Sequence, residues 1–238
     1  MLKLKNLDHL TEAELFSIIG EPRRSVIRSK GEQGALPEGS PMYLVPSANL
    51  QNIDVKYLTG DVCVVDFGEA YHLAEPPFAT GIPETYLPPE LLVPGDETAD
   101  EPIDGFAAEL WALGCTLFEI RMQAPLFYML FGEDEILTEM VALFGKPHTQ
   151  LWRRWADRGA YYTEDGLPLS LLPELSFEDL LAEPLQMSGV EKNGDHKVCE
   201  MDVEERRLFI DLLCGIMQFV PEKRATLDDI LEHEWFQL

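Results

Sequence analysis

The sequence predicts a mainly helical fold with a few short β-strands at its N-terminal end, within the α+β class. The 238-residue chain is 46% hydrophobic and 10% aromatic, which is enough apolar material to bury a core. Short runs rich in Val and aromatic residues lie within the first 67 positions, whereas apolar residues recur at helical spacing from residue 105 onward. A chain of this length fits one large domain or two small ones.

The N-terminal third carries three strand signals, which are MLKL from Met1, MYLVPS from Met42 and VCVVDF from Val62. A short helix is predicted after the first strand, because Thr11 can cap its N-terminus with Glu14 three residues on. Residues 23–42 are polar and rich in Gly, Pro and Ser, which predicts a mobile loop.

The remaining two thirds of the chain predict helices separated by loops. GFAAELWALGCTLFEIRM, at 105–122, has apolar residues all round the helical wheel, which predicts a buried central helix. Residues 164–200 predict a loop-rich insert. The other predicted helices are DEILTEMVALFG ending at Gly145, TQLWRRWADRGAYY, DVEERRLFIDLLCGIMQFV and TLDDILEHEWF.

Acidic residues outnumber basic ones 43 to 18, for a net charge of −25. Such a chain disfavours direct contact with nucleic acid and with anionic membranes, and it favours basic partners. Improved solubility is an equally good explanation of the same charge.

The four cysteines lack the spacing of a metal site, and Cys63 and Cys115 lie in apolar runs that predict small core residues. A reducing intracellular compartment, cytoplasm or nucleus, is therefore expected. The sequence has neither a signal-peptide pattern at its N-terminus nor an apolar run of the roughly 20 residues that a membrane span needs.

Four segments resemble, in order and spacing, landmarks of the C-terminal lobe of eukaryotic protein kinases: DFGEA, YLPPELL, AAELWALGCTLFEI and PEKRATLDDILEHEWF. The resemblance implies that residues 1–238 form a partial protein kinase domain, the large helical lobe, with residues 66–90 as its activation segment. KNLDHLTEAEL, within an insert at 5–60 between two strands, resembles the fungal relatives of the serine/arginine-rich protein kinases.

The resemblance implies ATP and Mg²⁺ as cofactors. Asp66 would place its carboxylate on Mg²⁺ bridging the nucleotide phosphates, Phe67 would pack inward, and Gly68 would let the backbone turn. Thr85 and Tyr86 would shape the substrate groove.

Five further residues have structural roles that the resemblance implies. Glu90 would pair with a buried Arg224, and Trp111 would be a packing residue, as would Gly114. Glu109 stands where the family has an aspartate that accepts hydrogen bonds from the catalytic loop, so the geometry of that loop is in question.

The chain has no G-x-G-x-x-G, no V-A-I-K-like lysine and no H-R-D loop, so no catalytic base is assigned. MLKLKNLDHL resembles the segment that comes directly after the H-R-D loop in the family. The chain alone is therefore expected to bind ATP weakly or not at all, to show no turnover, and to expose an apolar lobe face that recruits a partner.

Two main interpretations remain open. The chain is part of a serine/threonine kinase acting on basic, Arg/Ser-rich proteins, or it is a pseudokinase-type acidic docking module that binds basic peptides without catalysis. A third interpretation is that the chain is a fragment without an independent role. An upstream reading frame that encodes the missing motifs would favour the first.

Overall fold

The computed structural model describes residues 1–28, 36–48, 50, 53–72, 74–75, 81–93, 104–128, 132–169, 175–182 and 201–238. The chain divides into two compact units, unit 1 (Met1–Gly68) and unit 2 (Glu69–Leu238). Parts of the predicted mobile loop, activation segment and loop-rich insert lie outside the described residues.

Unit 1 contains two pairs of antiparallel strands. Strand β1 (Leu2–Leu4) pairs with the later strand β4 (Leu58–Val62), with Leu2 opposite Val62 and Leu4 opposite Leu58. The longer strand takes up its extra residues in a bulge, where Gly60 has a φ of +86° that favours glycine. The first strand was therefore predicted correctly, whereas its pairing with β4 was not part of the prediction.

Helix α1 (Glu12–Ile19) begins at the predicted cap. The Thr11 side chain accepts from the Glu14 N–H, and the Glu14 carboxylate accepts from the Thr11 N–H at 2.8 Å, which completes a capping box. Strand β2 (Ser25–Val26) then pairs with strand β3 (Tyr43–Leu44). The strand at Ser25–Val26 corrects the prediction of loop throughout 23–42.

The strand predicted at VCVVDF lies earlier in the chain. β4 ends at Val62, because its register follows the pairing with β1, and beyond it Asp66 has a φ of +65° that no extended strand adopts. Cys63 is exposed, so its prediction as a core residue was wrong, whereas Cys115 is buried as predicted.

Unit 2 is built from seven described helices, which confirms the mainly helical prediction. They are α2 (Pro89–Leu92), α3 (Gly105–Met122), α4 (Glu133–Phe144), α5 (Thr149–Arg154), α6 (Phe177–Ala182), α7 (Val203–Ile216) and α8 (Leu227–Leu231). The predicted bounds of α3 are correct. α6 lies inside the loop-rich insert predicted at 164–200, so that prediction missed a helix. The helix predicted at TQLWRRWADRGAYY is the shorter α5, which ends at Arg154. The next residue, Trp155, is buried and donates from Nε1 to Asp134 at 2.6 Å.

One face of α3 forms the centre of the core of unit 2. Trp111 and Phe118 are fully buried and pack with aromatic and aliphatic residues from α4 and α7. The prediction of burial all round this helix was wrong, because Phe106 and Ile120 are 69% and 65% exposed. Among the described residues, no helix is long and apolar enough to cross a bilayer.

Helices α3 and α7 approach each other at a glycine. A Cβ placed on Gly114 would lie 2.8 Å from Met217 Cγ and 3.2 Å from Ile216 Cγ2. The same two helices are joined by an ion pair in which Arg121 Nε donates to Glu205 Oε1 at 2.7 Å. Gly114 therefore has the packing role that the sequence predicted.

Candidate functional site

The Asp66-Phe67-Gly68 segment follows β4 of unit 1 and enters a 3₁₀ turn at Phe67–Glu69. Asp66 is exposed, and its backbone lies in the left-handed region, which aspartate tolerates better than most residues. Phe67 is 69% exposed, which contradicts the expected inward packing. A Cβ on Gly68 would meet Asp66 Oδ1 at 3.5 Å, an ordinary contact.

The carboxylate of Asp66 fits a Mg²⁺ site in which the protein supplies a single carboxylate ligand. Among the described residues, no group of three or more His, Cys, Asp or Glu side chains could hold a metal ion. Mg²⁺ commonly takes one or two protein carboxylates and completes its shell with water and nucleotide phosphate oxygens. When bound in this way, the ion neutralises phosphate charge, and Asp66 would be its protein ligand.

Unit 2 begins with a contact that the sequence did not predict. The Gly81 N–H donates to Glu69 Oε2 at 2.7 Å. A Cβ on Gly81 would lie only 2.6 Å from Glu69 Oε1, so the carboxylate occupies the space that a side chain would need. This contact joins the start of the predicted activation segment to its second half.

The two residues predicted for the substrate groove lie in a 3₁₀ turn at Glu84–Tyr86. Thr85 and Tyr86 are both half-buried. The Tyr86 hydroxyl donates a hydrogen bond to the Glu119 carboxylate on α3. Burial, and then this hydrogen bond, raises the pKa of Tyr86 to about 12. The groove role of both residues stays a prediction, while Tyr86 holds this turn against the central helix.

Glu90 and Arg224 form the predicted ion pair. Arg224 Nη1 donates to Glu90 Oε1 at 2.8 Å and Nη2 donates to Oε2 at 2.7 Å, a bidentate geometry. The Arg224 side chain is 0% exposed and that of Glu90 is 24% exposed. Arg224 also donates to the carbonyl oxygens of Ala107 and Gln218. The arginine therefore joins α2, α3 and the chain after α7.

The two remaining predicted residues lie on α3. Trp111 is fully buried, stacks on Phe127 with a centroid distance of 6.1 Å, and carries the Arg224 guanidinium 5.3 Å from its ring centroid. Trp111 is thus a packing residue, as predicted. Glu109 is exposed, and its relation to a catalytic loop stays a prediction.

A helical unit with a buried arginine paired to a glutamate, which follows an Asp-Phe-Gly segment beyond a strand, defines a kinase-like protein. Residues 50–236 match the family described as protein kinase domain. The chain therefore belongs to the protein kinase domain family.

Relatives of known class agree with this family. The chain is 28% identical over 190 residues to cyclin-dependent kinase G1 of Arabidopsis thaliana, covering 74% of this chain and 26% of that protein. It is 28% identical over 138 residues to probable serine/threonine-protein kinase sky1 of Dictyostelium discoideum, covering 56% and 19%. It is 25% identical over 183 residues to cyclin-dependent kinase G-1 of Oryza sativa subsp. indica, covering 75% and 23%. The matches span a fifth to a quarter of these relatives' length.

Proposed function

We propose that the chain is the large-lobe part of an intracellular serine/threonine protein kinase, which transfers a phosphoryl group from ATP to a hydroxyl of a basic, Arg/Ser-rich protein. The observation that carries this proposal is the pair between Glu90 and the buried Arg224, because it fixes the end of the predicted activation segment. An anchored segment end is what a substrate-binding lobe requires, since phosphoryl transfer depends on positioning.

Asp66 supplies the metal contact in this proposal. Its carboxylate is exposed in the segment after β4, where an oxygen ligand can reach a nucleotide-bound Mg²⁺. The chain lacks the motifs that cover the phosphates and supply the base. This polypeptide by itself therefore binds Mg-ATP weakly and turns over none.

A basic substrate is supported by the charge of unit 2. Its 34 acidic and 11 basic residues give it a net charge of −23. A surface of that sign raises the local concentration of cationic polypeptides and speeds their association. Arg/Ser-rich segments are the substrate class that combines a cationic chain with the hydroxyls that accept phosphate.

The proposal is tested by titrating Mg-ATP into the purified chain by calorimetry. Weak saturable binding is expected, lost in Asp66→Ala and retained in Asp61→Ala, which removes another exposed carboxylate of unit 1. Both variants change the net charge equally, so a difference between them reports the metal contact. Loss in both variants, or no heat at millimolar nucleotide from a folded chain, would contradict the role of Asp66.

The second candidate is a docking module without catalysis, and the outer face of α3 favours it. Phe106 and Ile120 are exposed there, and the half-buried Leu110, Leu113 and Leu117 between them at helical spacing pack in part against the core. The exposed apolar side chains at the two ends of this stripe, on an acidic unit, suit a partner with apolar and basic residues. Saturable binding of an Arg-Ser repeat peptide that Asp66→Ala leaves unchanged, without Mg-ATP binding, would favour this candidate.

A further inference from the structure

Helices α7 and α8 enclose a groove of about 370 Å³ on unit 2. Its floor is apolar, because Leu212 and Ile230 are both buried and lie beside Gly215 and Ala225. A Cβ on Gly215 of α7 would lie 3.7 Å from that of Ala225, which precedes α8, so the floor between the two helices is lined there by small residues. The volume is that of a site for a small ligand or one long side chain.

The rim of the groove is acidic. Asp211 and Asp229 line it, and none of its described lining residues is Lys or Arg. Asp229 Oδ2 accepts from the Thr226 N–H and hydroxyl at 2.9 and 2.6 Å, and these hydrogen bonds lower the pKa of Asp229. Arg207, one turn before Asp211 on α7, donates to Glu204 at 2.8 Å. The Asp229 carboxylate therefore remains charged at neutral pH.

A histidine on the rim positions one of these carboxylates. His233 Nδ1 accepts from the Trp235 N–H at 3.2 Å, so Nε2 carries the ring proton that faces Asp211. Nε2 lies 3.3 Å from Asp211 Oδ2 and donates to it. His233 thus orients Asp211, whose side chain is 72% exposed.

We infer that this groove binds an arginine side chain of a basic polypeptide. Its aliphatic part covers Leu212 and Ile230, and its guanidinium group meets the carboxylates of Asp211 and Asp229. Arginine suits such a site better than lysine, because its planar group is more weakly hydrated and offers five donors to carboxylate oxygens. This inference deepens the basic-substrate part of the proposed function, and it does not depend on the metal contact of Asp66.

The test uses the full chain and N-acetylarginine amide, followed by NMR shifts of the His233 and Cys214 backbone amides. N-acetylcitrulline amide is the matched ligand, since it has the same shape without the charge. Asp211→Asn removes one rim carboxylate, and Asp228→Asn removes a neighbouring carboxylate of α8 that does not line the groove. We expect the shifts to saturate with the arginine amide, and we expect Asp211→Asn to weaken the affinity for this ligand about fivefold. Asp228→Asn should leave the affinity unchanged, and the citrulline amide should not bind.

Three outcomes would overturn the inference. Equal weakening by both variants would mean attraction by net charge alone, and equal binding of the citrulline amide would exclude recognition of the cation. No saturable shift in the wild-type chain would exclude the groove as a site. Each of these results is separate from the Mg-ATP titration, and an Arg-Ser repeat peptide that binds Asp211→Asn as tightly as it binds the wild type would place the basic substrate elsewhere.

Discussion

The two units of the chain differ most in the interactions that hold each of them together. No described residue of unit 1 is buried, and its structure consists of two short strand pairs and one capped helix. Unit 2 contains all the described buried side chains, and most of the apolar ones form one cluster that joins α3, α4 and α7. Unit 1 thus depends on backbone and capping hydrogen bonds without a buried core, while unit 2 has the apolar core that makes unfolding cooperative.

The units also differ in charge. Unit 1 carries nine acidic and seven basic residues, for a net charge of −2, against −23 in unit 2. The acidity of the chain is therefore a property of the helical unit. A mutation that weakens the core or a buried charge should affect unit 2 strongly, whereas a lost cap in unit 1 should stay local.

The largest expected effect is that of removing the buried guanidinium group. Arg224→Ala leaves the Glu90 carboxylate and the carbonyl oxygens of Ala107 and Gln218 without their donor. We expect the free energy of unfolding of unit 2 to fall by about 3–5 kcal/mol. Urea unfolding followed by tryptophan fluorescence measures it. Arg207→Ala, which removes an exposed pair with Glu204, is the control and should change little.

A smaller effect is expected where α3 and α7 touch. Gly114→Ala would place a Cβ 2.8 Å from Met217 Cγ, so the helices must shift apart. Overpacking of this kind costs about 1–3 kcal/mol in the free energy of unfolding. Gly159→Ala is the matched control, because nothing lies within 4 Å of its added Cβ. Equal stability of the two variants would mean that the helix contact at Gly114 is loose.

A pH effect should follow from Tyr86. Because its pKa is raised from 10.0 to about 12, the folded chain keeps a proton that the unfolded chain releases. The contribution of Tyr86 to the free energy of unfolding is complete below about pH 10 and is lost as the pH rises towards 12. Urea midpoints across that interval should therefore fall less steeply in Tyr86→Phe than in the wild type. Tyr128→Phe, at a half-exposed tyrosine, should retain the wild-type slope.

The smallest and most local effect is expected in unit 1. Thr11→Ala removes the hydroxyl that caps α1 and one half of its capping box. Amide hydrogen exchange at Glu12–Ile19 should become about fivefold faster, with the unfolding of unit 2 unchanged. Ser17→Ala, on the same helix, should leave exchange at its N-terminus unaltered. Global destabilisation by Thr11→Ala would contradict the contrast between the units.

Features that depend on local sequence were predicted well. The bounds of α3 follow from a continuous apolar pattern that begins after the Asp104 cap, and the cap of α1 follows from residue types three positions apart. The pair between Glu90 and Arg224 was predictable because two separate motifs each fix one partner. Periodicity and motif spacing are thus enough for most of unit 2.

Features that depend on distant partners were not predictable in this way. The position of β4 is set by its pairing with β1. The prediction from a run of Val residues therefore put the strand too late in the chain and wrongly placed Cys63 in the core. The contacts from Glu69 to Gly81 and from Tyr86 to Glu119 join positions without a periodic relation. The exposed Phe106 and Ile120 show that an apolar pattern all round a helix does not report which face is covered.

The pair between Glu90 and Arg224 also bears on the order in which the chain acquires its structure. The two residues are 134 positions apart, so Glu90 cannot form this pair until a further 134 residues have been synthesised. Until then the end of the predicted activation segment cannot be fixed, and closing so long a loop carries an entropic cost that slows folding. Nascent chains that stop before Arg224 should remain unanchored there and open to chaperones and proteases.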